Sequence, residues 1–120
     1  MIDILGEMCQ KLGKSEDFKA LSGVFTHVPS ETPYPYMTLE KTKSEESFSS
    51  HRSNVVLKVW SRYRGDAEVS LYEKKLKETL EMAEWISGAC LKIEASQVKI
   101  LNDGLTRVLE MRLEIWIRGI

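Results

Sequence analysis

Cysteine, histidine and proline are scarce in this chain. Its two cysteines, Cys9 and Cys90, stand far apart, and neither belongs to a CxxC pair or a Cys/His cluster. That pattern excludes the familiar zinc and thiol-redox motifs. Both positions suit a small buried hydrophobe, and a bridge between them stays open as an alternative. A chain of 120 residues can build a core without a disulfide, so a reducing compartment is the default expectation. The two histidines, His27 and His51, have no second ligand or carboxylate cluster beside them in sequence. His27 reads as a strand histidine satisfied by backbone or solvent, with a ligand or general-base role as the sharper alternative; His51 reads as solvated.

There is no glycine-rich phosphate loop, no spaced metal-ligand pair and no GxSxG elbow. The sequence therefore nominates no catalytic, cofactor-binding or metal residue, and the expectation is a protein that is not an enzyme. Long apolar runs are missing as well: none approaches the roughly 18 residues of a membrane span. The first residues lack the basic start and apolar core of a signal peptide. An excess of either charge is also absent. Lys and Arg number 17 against 18 Asp and Glu, a net charge of -1, so bulk electrostatics give no reason to expect nucleic acid. Lys74, Lys75 and Lys77 come nearest to a basic patch and read as a solvated helix face.

What is present is an ordinary globular composition, 42% hydrophobic and 29% charged, which predicts one domain over residues 1–120. The organising stretch runs from Asn54 to Ile86. Val55, Leu57 and Val59 alternate with Val56, Lys58, Trp60 and Arg62, the period-2 pattern of a strand over 54–63. Gly65 supplies the positive φ that a tight turn needs, and Asp66 is placed to cap a helix over 67–86. Val69, Tyr72, Leu76, Leu80, Ala83 and Ile86 form its apolar stripe, and Gly88 stops it.

The other elements follow in order. A first helix is expected over 2–12, with an apolar stripe through Met8 and Leu12 and a stop at Gly13. A short strand is expected over 24–28, closed by Pro29. Pro33 and Pro35 lead into an extended segment over 37–39. Residues 40–53 are polar and without periodicity, which predicts a long loop. Phe48 stands alone there and either tucks back or docks on a neighbour. A strand over 91–101 changes its apolar face near Ala95–Gln97, as a bulge or break would cause. Asn102-Asp103-Gly104 predicts a hairpin turn. The strand over 105–118 sets Leu109, Met111, Leu113, Ile115 and Ile117 against Glu110, Arg112, Glu114, Trp116 and Arg118. Those charges are solvated, paired across strands, or paired across a subunit boundary. The order α-β-β-β-α-β-β predicts an α+β domain: an antiparallel or mixed sheet of about five strands with two helices packed on one face.

Taken together, Val28-Pro29, then Tyr34-Pro35-Tyr36-Met37-Thr38-Leu39, then Val59-Trp60-Ser61, then Gly65 opening a helix, resemble the small tail-completion or tail-terminator proteins of long-tailed bacteriophages and related gene transfer agents. The resemblance runs from about residue 5 to 117 and includes Asn102-Asp103-Gly104 with Thr106-Arg107. The chain departs from it at Glu40, where the family often has glycine. The resemblance implies structural work in a virion tail, assembled in the host cytoplasm. It implies a homo-oligomer, commonly a hexamer ring, that caps the tail tube, halts its polymerisation and helps join the head. The implied partners are further copies of the chain, the tail tube protein and head-tail connector proteins, with no cofactor, no membrane and no specific nucleic acid. Pro35, Tyr36, Leu39, Trp60 and Gly65 match the family pattern and read physically as setting the fold.

A ring needs head-to-tail interfaces that close. Phe48, Trp60 and Trp116, with Arg112 and Glu114, are the candidate interface residues, since buried aromatics dominate interfaces. Trp60 and Trp116 lie opposite the core stripes, so the alternative is that a helix covers that second face. Two other functions remain: a monomeric or dimeric head-tail neck adaptor, and a small ligand-binding or enzymatic domain.

Overall fold

The computed structural model describes residues 4–46, 50–82, 85–86 and 89–118. The elements are helix α1 (Ile4–Lys14), strand β1 (Val24–Phe25), β2 (Tyr36–Glu46), β3 (Ser50–Ser61), helix α2 (Ala67–Leu80), β4 (Ala89–Ile100) and β5 (Arg107–Arg118), with a short 3-10 turn at Glu16–Phe18. The five strands form one mixed sheet in the order β1-β2-β3-β5-β4. β1 runs parallel to β2 and every other pairing is antiparallel. The fold is α+β with the element order α-β-β-β-α-β-β.

Both helices lie on one face. Ile4, Met8 and Leu12 of α1 and Val69, Tyr72, Leu76 and Leu80 of α2 are buried with Met37, Leu39, Val55, Leu57, Val59, Leu109, Met111, Leu113 and Ile115 in one core. The alternation along β5 explains its part in the core: Leu109, Met111, Leu113, Ile115 and Ile117 point to the helix side and their neighbours to the other face. Full burial of a side chain such as Leu57 or Leu113 contributes about 1.5–3 kcal/mol, so these rows set the register. The 3-10 turn packs Phe18 on Tyr72, with ring centroids 6.2 Å apart.

Several boundaries differ from the sequence reading. The largest correction concerns residues 40–53. The expected loop is instead two strands: Glu40–Glu46 completes β2, and Ser50–Ser53 begins β3. The pairing continues through Ser44↔Ser53 and Glu46↔His51, and β5 pairs with the same part of β3 through Ser53↔Ile115 and His51↔Ile117. Backbone hydrogen bonds need no apolar side chains, and Ser53 is fully buried because β5 brings Ile115 beside it. Phe48 lies outside the described residues.

β1 is two residues long rather than five, and α1 runs past Gly13 to Lys14. α2 ends at Leu80, not at Ile86. Ile86 still reaches the core, 3% exposed, through turns in which Trp85 N–H donates to Met82 O and Ala89 N–H to Ile86 O. Ala83 and Gly88 lie outside the described residues. Asp66 makes no side-chain capping bond; its carboxylate accepts from Arg107 at 2.6 Å instead. β5 begins at Arg107 rather than at Leu105, because the amides of Leu105 and Thr106 donate to Asp103.

Candidate functional site: the open face of the sheet

With both helices on one side, the other face of β2–β5 is left uncovered by any described element. The expectation that a helix might cover it is therefore corrected. Tyr36 and Thr38 of β2, Arg52 to Trp60 of β3, Val108 to Trp116 of β5 and Cys90 to Lys99 of β4 bring alternate residues to this open face.

Trp60 and Trp116 both sit there, at opposite ends. Trp60 pairs with Val108 and Trp116 pairs with Arg52. Eight residues of strand separate them along β5, roughly 26 Å at the usual rise. Trp60 is half-buried. Its ring stacks on Tyr36, its Nε1–H donates to Thr38 Oγ1 at 3.0 Å, and Lys58 Nζ lies 5.6 Å from its centroid. Trp116 is 43% exposed. Arg112 and Glu114 lie between the two tryptophans and do not bond each other: Arg112 Nε is 3.7 Å from Glu110, and Glu114 is 3.6 Å from Arg52.

Glu110 is the most enclosed charge on this face. Lys58, Lys99 and Arg112 surround it within 3.9 Å, and Gln97 Nε2 donates to it at 3.2 Å. Burial opposes its ionisation, but the Gln97 bond, Lys99 and Lys58 outweigh that, and the carboxyl titrates below its ordinary value. Glu94 behaves oppositely. It shares a hydrogen bond with Glu114, and partial desolvation and the Glu114 charge add to that, so its pKa is raised even though Lys92 and Arg52 pull it down.

Two bulges meet in the middle of the face. The β2–β3 register shifts between Lys41 and Lys43, leaving Thr42 as the extra residue, and the β4–β5 register shifts between Ile93 and Ala95, leaving Glu94. Both flank the same central pair, Val55↔Leu113. Thr42 Oγ1 donates across to Asn54 O at 3.3 Å. The result is a shallow depression of about 260 Å³ lined by Thr42, Asn54, Val56, Glu94 and Arg112, with Val55 and Leu113 also contributing. The face change along β4 was the sequence signal for its bulge. Nothing comparable marks Thr42, whose neighbours are all polar.

The end of the sheet beside Trp60 is stiffened by polar contacts. Asp103 accepts from Leu105 N–H, Thr106 N–H and Thr106 Oγ1–H at 2.7–2.8 Å. Arg62 donates to Thr106 Oγ1 at 3.2 Å, lies 3.7 Å from Asp103 and stands 4.7 Å over the Tyr34 ring. Sequence reasoning identified the turn at Asn102-Asp103-Gly104 but not Arg62 as its partner, which lies just past the end of β3, far away in sequence. Tyr34 and Tyr36 pack at 5.2 Å, and burial followed by the Tyr34 neighbour raises the Tyr36 pKa.

Of the remaining motif residues, Pro35 follows a cis peptide and its carbonyl accepts from Ser22 N–H at 2.8 Å. Leu39 is in the core, and Gly65 turns at φ +88°. Among the described residues no group of three or more His, Cys, Asp and Glu is placed to hold a metal ion. No described helix is long and apolar enough to cross a membrane.

No protein-family model matches this chain, and no curated protein does. Among solved structures, its fold is similar to that of a chain in the virion of a native gene transfer agent particle. The TM-score is 0.76 at 16% sequence identity, over 97% of this chain and 95% of that one. At that identity the likeness establishes a shared fold over nearly the whole length of both chains.

Proposed function

We propose that this protein is a structural component of a phage-like or gene transfer agent virion, and within it a tail terminator. In this reading copies of the chain form a ring, six in the family it resembles. The ring caps the tail tube, stops its polymerisation and offers a surface to the head-tail connector proteins. The observation that carries the reading is the end-to-end fold likeness to a virion chain, which covers nearly the whole of both chains. The ordered motifs from Val28 to Gly65 and at 102–107 support the narrower assignment to the tail.

The site chemistry is compatible with interaction work. The open face offers paired charges and aromatic rings, and its carboxylates are either neutralised by neighbouring cations or exposed. Its work in the virion is assembly rather than turnover. The reading is tested by light scattering of the purified chain across concentration, alone and with the tail-tube protein of the same element. A closed ring in either condition is expected. A chain that remains monomeric and indifferent to the tube overturns the terminator role and favours a neck adaptor.

A further inference from the structure

The sheet has two edges along which no described strand pairs. On one side, β1 occupies only the start of β2, at Met37 and Thr38, and leaves residues 41–46 bare. On the other, β4 pairs with β5 alone, and its outer side is open. Such an edge is a row of backbone donors and acceptors and a template for a further strand.

The register fixes which residues turn outward. Met37 N–H donates outward to Gly23 O at 3.0 Å, and backbone groups turn to alternate sides at each step of a ladder. Lys41 is therefore outward. The bulge at Thr42 delays the next outward residue to Ser44, and Glu46 follows. The same alternation, carried through β3 and β5, makes Leu91, Ile93, Ser96 and Val98 the outward residues of β4, where the bulge at Glu94 again inserts a step of three. Counted backwards along β4, Ser96, Ile93 and Leu91 repeat the spacing of Lys41, Ser44 and Glu46. Two strands with this shared irregular step fit antiparallel in a single register: Lys41 with Ser96, Ser44 with Ile93, Glu46 with Leu91. A strand of unbroken alternation loses its bonding positions at the step, so the bulges reject ordinary partners while matching each other.

The strand directions agree with that register. β2, β3, β5 and β4 alternate in direction across the sheet, so β4 and β2 run opposite ways. A second copy in the same orientation meets β4 with an antiparallel β2, and its helices stay on the same face. The register also sets Lys43 level with Glu94 and Glu45 level with Lys92, residues of opposite charge at both steps.

We infer that β2 of one copy, over residues 41–46, adds to the outer edge of β4 of another, over residues 91–96, so that the sheet continues from copy to copy. Beyond Leu39 the two strands are parted by β1, which already lies against β2 there. The two edges differ, so the contact is head-to-tail and repeats until it closes. The inference deepens the ring reading by naming its seam, and it rests on that reading only for closure.

Crosslinking tests the register. Lys43→Cys and Glu94→Cys are made separately in a chain whose own thiols are removed by Cys9→Ala and Cys90→Ser. Both positions are exposed, and circular dichroism checks the fold. The equimolar mixture is oxidised alone and with the tail-tube protein. A covalent one-to-one dimer is expected, since residues level across a seam bring their Cβ atoms to about 4.5–5.5 Å. Glu40→Cys mixed with Glu94→Cys, displaced by roughly 10 Å along the strand, is expected to give none. Lys41→Pro removes an outward N–H and is expected to weaken self-association at least about tenfold in sedimentation velocity. A mixture without the dimer, an off-register crosslink of equal yield, or a folded Lys41→Pro chain that associates like wild type overturns the seam, while a ring built on other surfaces still stands. A crosslinked dimer from a chain that closes no ring, alone or on the tube, upholds the seam and overturns the terminator reading.

Discussion

The ring of Trp60 lies nearly parallel to that of Tyr36, with centroids 6.0 Å apart and planes at 15°, while its indole N–H donates to Thr38. The two residues face each other across the β2–β3 pairing. Trp60 therefore has partners within its own chain that hold the start of β2 to the end of β3.

Replacement Trp60→Ala is expected to destabilise the monomer by about 2–3 kcal/mol, through lost stacking, lost area and an unpaired Thr38 hydroxyl. Urea unfolding followed by circular dichroism measures this. A change below about 0.5 kcal/mol would mean that the stack contributes little and that Trp60 serves outside the fold.

Trp116 contrasts with it. It is 43% exposed, with Arg52 and Cys90 opposite it on the neighbouring strands. Trp116→Ala is expected to change monomer stability by less than about 1 kcal/mol, the range of surface substitutions. If Trp116 anchors an interface, the same variant weakens assembly by about tenfold or more. Parallel unfolding and light-scattering measurements separate the two effects.

Gly65 turns the chain from β3 into α2 at φ +88°, and a Cβ there would meet nothing within 4 Å. The effect of Gly65→Ala is thus conformational rather than steric. It is expected to destabilise by about 1–2 kcal/mol, the usual penalty for an L-residue in the left-handed region. Gly65→Asn, which tolerates that region better, should recover part of the loss in the same unfolding assay.

Asp103 titrates at about 2 instead of 3.8, because the Thr106 hydroxyl, the Thr106 amide and the Leu105 amide all donate to its charged form. A depressed carboxyl pKa means that the unfolded chain takes up the proton first. The stabilisation is therefore complete above about pH 4 and is lost as pH falls through about 2. The stability difference between wild type and Asp103→Asn should be constant from neutral pH to about pH 5 and should shrink on the way to pH 2. Denaturation midpoints across that range check it; a pH-independent difference would sink the assignment.

Legibility in the sequence followed side-chain contrast. β5 was readable along most of its length because its core and open faces differ at each step from Leu109 to Ile115, where Glu110, Arg112 and Glu114 alternate with apolar residues. The β4 bulge was readable to within a residue or two, since Leu91 and Ile93 share a face with Ser96 and Val98 only if one residue is skipped. Residues 40–53 were unreadable because both strands there carry polar residues on both faces, and their pairing rests on the backbone and on β5. The end of α2 was misplaced because Ile86 keeps the helical spacing of its stripe while reaching the core by a different path. At the site, the hairpin turn and the two tryptophans could be named from the sequence. The Arg62–Asp103 clamp, the Glu94–Glu114 pair and the cations around Glu110 could not, because each joins residues brought together by strand order alone.

That strand order also shapes how the molecule is made. β5 follows β4 in the chain but sits between β4 and β3. Until it emerges, β4 has no neighbour and one side of β3 stays bare. Helix α2, the β2–β3 hairpin and β4 must wait in an unfinished arrangement, with their apolar rows open to solvent. Such nonlocal closure slows folding, toward the millisecond-to-second range of sheet-dominated domains. It also means that a chain interrupted before Arg107 lacks the seam of its sheet, and so presents no finished surface for another copy to bind.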